Sequence, residues 1–289
     1  IGIASNTLGD ATQTQLDLSE TYNYLDGTYL KGMKQYGNYV WFDGFLWRIM
    51  GKNQDGSIRM ITEEDVTVIP WKEIGEESTY ENSYVNDWLN NYFYPKLKDK
   101  DLIVNSTWCS EMTEDEYSMR TTCKNNLFTT QQPVGTLSLD EFMLSGYSNK
   151  GNQADWFGAS TWLRNRQVFY TLTTASNREI WYIGGNGNAY VENRTEEYRD
   201  VASGIRPIIN LKPSTIISSG LGTRNDPYII GDKSDTTGSL KDQVQVGEYV
   251  TYAGKNYRVM DMSQTGTKLI LDGYYDPNNN GEIEDEEKF

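Results

Sequence analysis

Short runs of β-branched and aromatic residues, not long helical stripes, set the pattern of this chain. Gly37-Asn38-Tyr39-Val40-Trp41-Phe42 and Phe45-Leu46-Trp47-Arg48-Ile49-Met50 flank Asp43-Gly44, a two-residue hairpin signal. Ser57-Ile58-Arg59-Met60-Ile61-Thr62 follows the turn Asn53-Gln54-Asp55-Gly56, so the segment predicts a β-meander. The period then changes: Val85, Trp88, Leu89, Tyr92 and Phe93 recur at three and four, a helical face with Asn82 or Ser83 as its cap. Pro95 ends or kinks that helix. Ser138-Leu139-Asp140-Glu141 is a capping box for a second, short helix. Strand patterns return across 160–211. Gly184-Gly185-Asn186-Gly187-Asn188 has no helix pattern after it, so it reads as a hairpin turn between Tyr182 and Tyr190, not a phosphate-cradling loop.

This pattern predicts a β-rich α+β fold, a mixed antiparallel sheet domain with one or two short helices followed by a small all-β module. Residues 1–34 are polar and read as an N-terminal arm, 35–214 as the main domain, 215–242 as a linker and 243–289 as the small module.

The module repeats the meander. Gly37-Asn38-Tyr39-Val40-Trp41-Phe42-Asp43-Gly44 aligns without a gap on Gly247-Glu248-Tyr249-Val250-Thr251-Tyr252-Ala253-Gly254, at an offset of 210. Trp47-Arg48-Ile49-Met50 aligns on Tyr257-Arg258-Val259-Met260, and the match runs on through Gln54/Gln264 and Gly56/Gly266. A shared hairpin opening two successive modules accounts for this, since two copies are fewer than a solenoid needs.

Composition narrows the chemistry. There are 289 residues, 26 Lys+Arg against 41 Asp+Glu and no histidine, giving a net charge of −15. Repulsion disfavours nucleic acid and anionic membrane as partners, and no run of apolar residues is long enough to insert in a bilayer. Without histidine there is no imidazole base, Ser-His or Cys-His nucleophile, or His-ligated zinc. The chain reads as non-enzymatic. Glu63-Glu64-Asp65 and Asp99-Lys100-Asp101 read as solvated acidic faces, not as catalytic carboxylates held apart across a cleft. Two cysteines, Cys109 and Cys123, lie fourteen apart in a polar stretch; they suit a disulfide in an extracellular chain, the alternative being two free buried thiols. Trp47, Trp88 and Trp181 sit at core-patterned positions, whereas Trp71, Trp108 and Trp156 sit in loop-like contexts and are candidates for an exposed ligand platform.

Several of these segments are similar to a known family. Asn38-Tyr39-Val40-Trp41-Phe42, Leu46-Trp47-Arg48-Ile49-Met50, Trp88-Leu89-Asn90 with Phe93-Tyr94, and Gly204-Ile205-Arg206-Pro207-Ile208-Ile209-Asn210-Leu211 resemble, in this order, an uncharacterised domain of secreted and cell-surface proteins of Gram-positive bacteria. The resemblance covers about 36–230 and ends on Gly222-Thr223-Arg224-Asn225-Asp226-Pro227-Tyr228-Ile229-Ile230. The stretch from Ala159 to the Arg-Pro strand also resembles C-type-lectin-like domains, without the Glu-Pro-Asn and Trp-Asn-Asp signals of their calcium-dependent sugar sites. The resemblance implies a surface location and no established activity. Arg206 reads as structural, tying the closing strand to a neighbouring carbonyl or carboxylate.

One motif carries metal chemistry. Asp276-Pro277-Asn278-Asn279-Asn280-Gly281-Glu282-Ile283-Glu284-Asp285-Glu286-Glu287 matches the twelve-residue calcium loop. Asp276, Asn278 and Asn280 are oxygen ligands at positions 1, 3 and 5, with Gly281 at the sharp turn. Glu282 gives a backbone carbonyl, Glu284 acts through water and Glu287 supplies the bidentate carboxylate. The alternative is a solvated acidic tail. These readings together predict an extracellular binding or adhesion module for a protein or glycan ligand, with a calcium cofactor; the alternative is a filament or pilus subunit that binds copies of itself.

Overall fold

The computed structural model describes residues 7–33, 37–72, 79–110, 128–150, 156–165, 167–176, 179–193, 202–230, 244–252, 255–263 and 266–271. Helix α1 (Leu8–Leu18) leads into the hairpin β1 (Thr21–Tyr24) and β2 (Gly27–Leu30). The predicted meander follows as β3 (Tyr39–Phe42), β4 (Phe45–Lys52) and β5 (Ile58–Thr62), then β6 (Thr67–Pro70). One helical segment runs through α2 (Tyr84–Asp87), a π-helical stretch (Trp88–Phe93) and α3 (Tyr94–Lys96). After a 3₁₀ turn (Lys100–Leu102) come β7 (Ser106–Trp108), β8 (Phe128–Gln132), β9 (Val134–Gly135) and α4 (Leu139–Leu144). The rest is strand: β10 (Tyr147–Lys150), β11 (Trp156–Ser160), β12 (Phe169–Ser176), β13 (Glu179–Ile183), β14 (Asn188–Asn193), β15 (Ala202–Ile205), β16 (Ile208–Leu211), β17 (Ile217–Ser219) and β18 (Tyr228–Ile230). The small module is β19 (Tyr249–Tyr252), β20 (Lys255–Ser263) and β21 (Gly266–Leu271).

Among the described residues these strands form a nine-stranded sheet, β17-β18-β3-β4-β5-β16-β9 with the β1–β2 hairpin joined through β4, and a seven-stranded sheet, β10-β11-β14-β13-β12-β15-β6. A three-stranded sheet β19-β20-β21 and the pair β7-β8 complete it. The fold is therefore the β-rich α+β architecture that the strand pattern predicts. No helix among the described residues is long and apolar enough to cross a membrane.

The chain crosses between the two large sheets four times, from β5 to β6, from β6 through β7–β8 to β9, from β9 through α4 to β10, and from β15 to β16, and the first and last crossings run side by side. Arg206 holds this corner: its Nε and Nη2 donate to the Thr62 carbonyl at 3.0 and 2.7 Å, and Nη1 donates to that of Leu163. Its guanidinium is buried over the Phe169 ring, 5.2 Å from the centroid. Pro207, with no N–H to give a ladder, marks the change of sheet.

Local signals place several elements as predicted. Asp43 and Gly44 take positive φ of 50° and 80°, the backbone of a type I′ turn between the paired Phe42 and Phe45. Tyr182 pairs with Tyr190 across the glycine-rich turn. Ser138 and Glu141 form both halves of the capping box. Ser83 caps α2, accepting from the Asn86 N–H. There the predicted apolar face is partly revised. Val85, Leu89 and Phe93 are buried at a spacing of four, but Tyr92 is 57% exposed and Trp88 only half-buried, because the π turn rotates the helix past them.

Two boundaries differ from the sequence reading. The stretch assigned to an N-terminal arm packs into the main domain: Leu8, Thr12 and Leu16 of α1 are buried, and β2 pairs with β4. Its ends are tied down far away in sequence, since the Leu8 and Gly9 N–H groups donate to the Thr215 and Pro213 carbonyls. The stretch assigned to a linker contributes β17 and β18, and β18 runs parallel to β3 with Tyr228 opposite Val40. The remaining linker residues, 231–242, lie outside the described residues.

Candidate functional site

The tryptophans picked out as a platform are not one. Trp71 is fully buried against Tyr170 (5.5 Å between centroids) and Tyr80. Trp108 is 1% exposed; its indole lies on Gly135, where a Cβ would meet the ring at 2.4 Å, and its N–H donates to the Gln132 carbonyl. Loop-like flanks describe the backbone around a tryptophan, not what another strand lays over it. Trp156 sits in β11 opposite Tyr190, and its side chain lies outside the described residues. Trp47 and Trp181 are buried as predicted. Cys109 is buried and disulfide-bonded, while Cys123 lies outside the described residues. So do all six calcium-loop residues: Asp276, Asn278, Asn280, Glu282, Glu284 and Glu287. Among the described residues no cluster of carboxylates and thiols is placed to hold a metal.

Buried charge is spent inside the scaffold. Arg59 Nε meets Glu141 Oε1 at 2.6 Å, with side chains 8% and 1% exposed. The other Glu141 oxygen accepts from the Ser138 N–H and hydroxyl, so one carboxylate serves both the ion pair and the helix cap. Arg59 also stacks on Trp108 at 4.4 Å. Burial by itself lowers the Arg59 pKa, but the Glu141 carboxylate and Tyr29 more than offset this and leave it raised. From Arg59 a polar chain runs through Asn210 and Asn53 to the Tyr29 hydroxyl, which donates to Asn53 at 2.6 Å.

Glu63, read from the sequence as part of a solvated acidic face, is buried in a second cluster. It accepts from the Tyr39 hydroxyl and pairs with Arg48 at 3.6 Å and Arg224 at 3.5 Å. The Arg48 guanidinium is sandwiched between the Tyr39 and Trp162 rings, 4.5 and 4.4 Å from their centroids, and donates to Asn38.

The repeat is structural down to this cross-strand pair. Tyr39 lies opposite Arg48 and Tyr249 opposite Arg258, each shifted by the same 210. Arg258 stacks on Tyr249 at 4.7 Å, as Arg48 does on Tyr39. Both copies carry a bulge at one place, skipping Met50 between Ile49 and Gly51, and Met260 between Val259 and Asp261. The turn after the bulged strand is one residue shorter in the second copy, so Met60, Ile61 and Thr62 correspond to Leu269, Ile270 and Leu271. The second copy docks on the first. The Tyr249 N–H donates to the Gly44 carbonyl at 2.8 Å, its ring meets Trp41 edge-on, and Arg258 donates to the Asp65 carbonyl. Burial pushes the Asp65 carboxyl up to about 6, against the pull of Arg206, Asn165 and Arg258.

A polar cleft of about 460 Å³ opens between α1, the β1–β2 hairpin and the β4–β5 turn. Gln13, Asp17, Asp26, Lys52 and Gln54 supply amides, carboxylates and one ammonium to its wall. No sequence motif marked it, because its residues come from three separate segments. Beside it Leu25 and Asp26 hold positive φ of 44° and 60°, an unusual backbone for leucine.

Fold and internal pairing thus define a β-rich domain whose buried charges serve the scaffold, with a second copy of the β3–β5 unit docked on it. The chain belongs to the family described as a domain of unknown function, DUF6273, which matches residues 57–213, more than half of its length. No curated protein and no solved structure matches it significantly.

Proposed function

We propose that the chain works outside the cell, on a Gram-positive surface, as a non-enzymatic binding or adhesion module for a protein or glycan ligand. The observation that carries this reading is the tandem arrangement, in which a second β3–β5 unit is docked on the first by the Gly44–Tyr249 and Asp65–Arg258 contacts. Modules joined face to face in this way suit a display role. The disulfide-bonded Cys109 fits an oxidising compartment. The cleft beside α1 offers hydrogen-bonding groups suited to a polar ligand. The test is binding of the whole chain to arrayed glycans and to extracellular-matrix proteins, beside the triple variant Gln13→Ala, Asp17→Ala, Asp26→Ala. Saturable binding weakened by the triple variant supports the reading; no binding, or binding the variant leaves unchanged, refutes it.

Calcium belongs to this proposal. The loop from Asp276 to Glu287 is separated from β21 by four residues and carries oxygen donors at its ligand positions, the set a hard divalent cation takes. Terbium luminescence that calcium displaces and Glu287→Gln abolishes is the expected result; no binding at millimolar calcium overturns it. A second reading, a subunit of an extracellular filament, is favoured by the outer edge of β21, which has no strand partner among the described residues. Fibres in electron micrographs of the purified chain would establish it in place of the first.

A further inference from the structure

The repeat shows which strand pairing of the first copy has no counterpart in the second among the described residues. In the first copy β5 is sandwiched: β4 pairs on one edge and β16 on the other, antiparallel, with Ile208 opposite Ile61, Ile209 opposite Met60, Asn210 opposite Arg59 and Leu211 opposite Ile58. The Thr62 N–H donates to the Pro207 carbonyl, and the Thr62 carbonyl accepts both Arg206 bonds. By the shared register, Ile58, Arg59, Met60, Ile61 and Thr62 correspond to Thr267, Lys268, Leu269, Ile270 and Leu271. Even the cation of the strand recurs, Arg59 as Lys268. Yet among the described residues β21 pairs only with β20, and its outer N–H and C=O groups meet no strand. Exposure follows: Ile61 is 0% exposed and Ile270 49%, and Met50 is 1% exposed and Met260 49%.

We propose that the outer edge of β21 is a strand-acceptor site that takes an antiparallel strand of the chemistry Arg-Pro followed by apolar, apolar, polar and apolar residues. An open edge supplies main-chain hydrogen bonds for such an added strand, and side-chain chemistry selects it. Here the apolar residues would cover Leu269 and Ile270. The arginine would reach the Leu271 carbonyl, as Arg206 reaches Thr62. Charge favours this occupant over a second copy of the chain: two bodies of net charge −15 repel, whereas an arginine-bearing strand is attracted. The inference rests on the repeat geometry and holds whatever the cleft binds.

The probe is a fluorescent peptide of sequence Gly-Ile-Arg-Pro-Ile-Ile-Asn-Leu, titrated into the whole chain by anisotropy, with hydrogen exchange read at 266–271. Saturable binding and slowed exchange in β21 are expected. The peptide with alanine for its arginine should bind about tenfold more weakly, the loss of one charge-assisted contact. Leu269→Pro should abolish binding, because in the first copy the N–H groups of alternate residues, Thr62 and hence Met60, face β16, and Leu269 corresponds to Met60. The alanine peptide tests the site without touching the protein's folding. No saturation at millimolar peptide, or protection appearing at β5 and β9 instead of β21, overturns the proposal. So does a dimer of the chain that Leu269→Pro dissolves, which would make the edge a contact between copies.

Discussion

Replacing Glu141 by glutamine keeps the size of the side chain and one acceptor for the Ser138 cap, but leaves Arg59 charged in the core without its counter-ion. The pair is deeply buried, at 8% and 1% side-chain exposure, and its contact is 2.6 Å. Removing one member of such a pair costs about 3–5 kcal/mol, mostly from stranding the remaining charge. Arg59→Met also breaks the pair and gives up the stack on Trp108. The double variant has no stranded charge, so its cost should fall well short of the sum of the singles, by roughly 2–3 kcal/mol of coupling. Urea unfolding followed by tryptophan fluorescence measures all four species; guanidinium salt would screen the interaction under test. The reasoning fails if Glu141→Gln costs less than about 1 kcal/mol, or if the two substitutions add.

Two other outcomes follow from buried groups and close backbones. Burial first, and then the adjacent Glu141, push the Asp140 carboxyl up from its ordinary 3.8 to about 7. The folded chain therefore holds a proton that the unfolded chain has released. The stability this group gives is full below about pH 4 and is lost as the pH rises through 7. The drop in urea midpoint from pH 5 to pH 8 should be smaller in Asp140→Asn than in the wild type, and an equal drop would refute the assignment. Gly51 lies under β2, where a Cβ would come within 2.3 Å of the Thr28 carbonyl oxygen and 2.5 Å of Tyr29 Cα. Gly51→Ala should cost about 1–3 kcal/mol. Asp261→Ala, at the matching bulge of the second copy, is exposed and should change stability by less than about 0.5 kcal/mol in the same assay.

Much of the fold was legible because local chemistry decides it. The Asp43-Gly44 turn needs positive φ and contains the residues that accept it, and the Ser138–Glu141 box closes within a single turn. The repeat was legible as well, since the Tyr–Arg cross-strand pair and the bulge fix the same residue types at the same spacing twice. The polar segments 8–30 and 217–230 were not. Their buried stripes are short, Leu8, Thr12 and Leu16 in α1 and Ile230 in β18, and their partners are β4, β3 and the Pro213–Thr215 carbonyls, distant in sequence.

The same division applies to the site. Sequence alone determined the absence of histidine, the acidic balance, the run of oxygen-bearing residues between Asp276 and Glu287 and the duplicated unit. Only the tertiary structure decided which side chains reach water. It buried Trp71, Trp108 and Glu63, assembled a cleft from three separate segments, and gave β5 a second strand partner that β21 does not have among the described residues. The physical reason is common to all of these. Backbone conformation is set by neighbours along the chain, whereas burial and strand pairing are set by residues that meet only after the chain has folded.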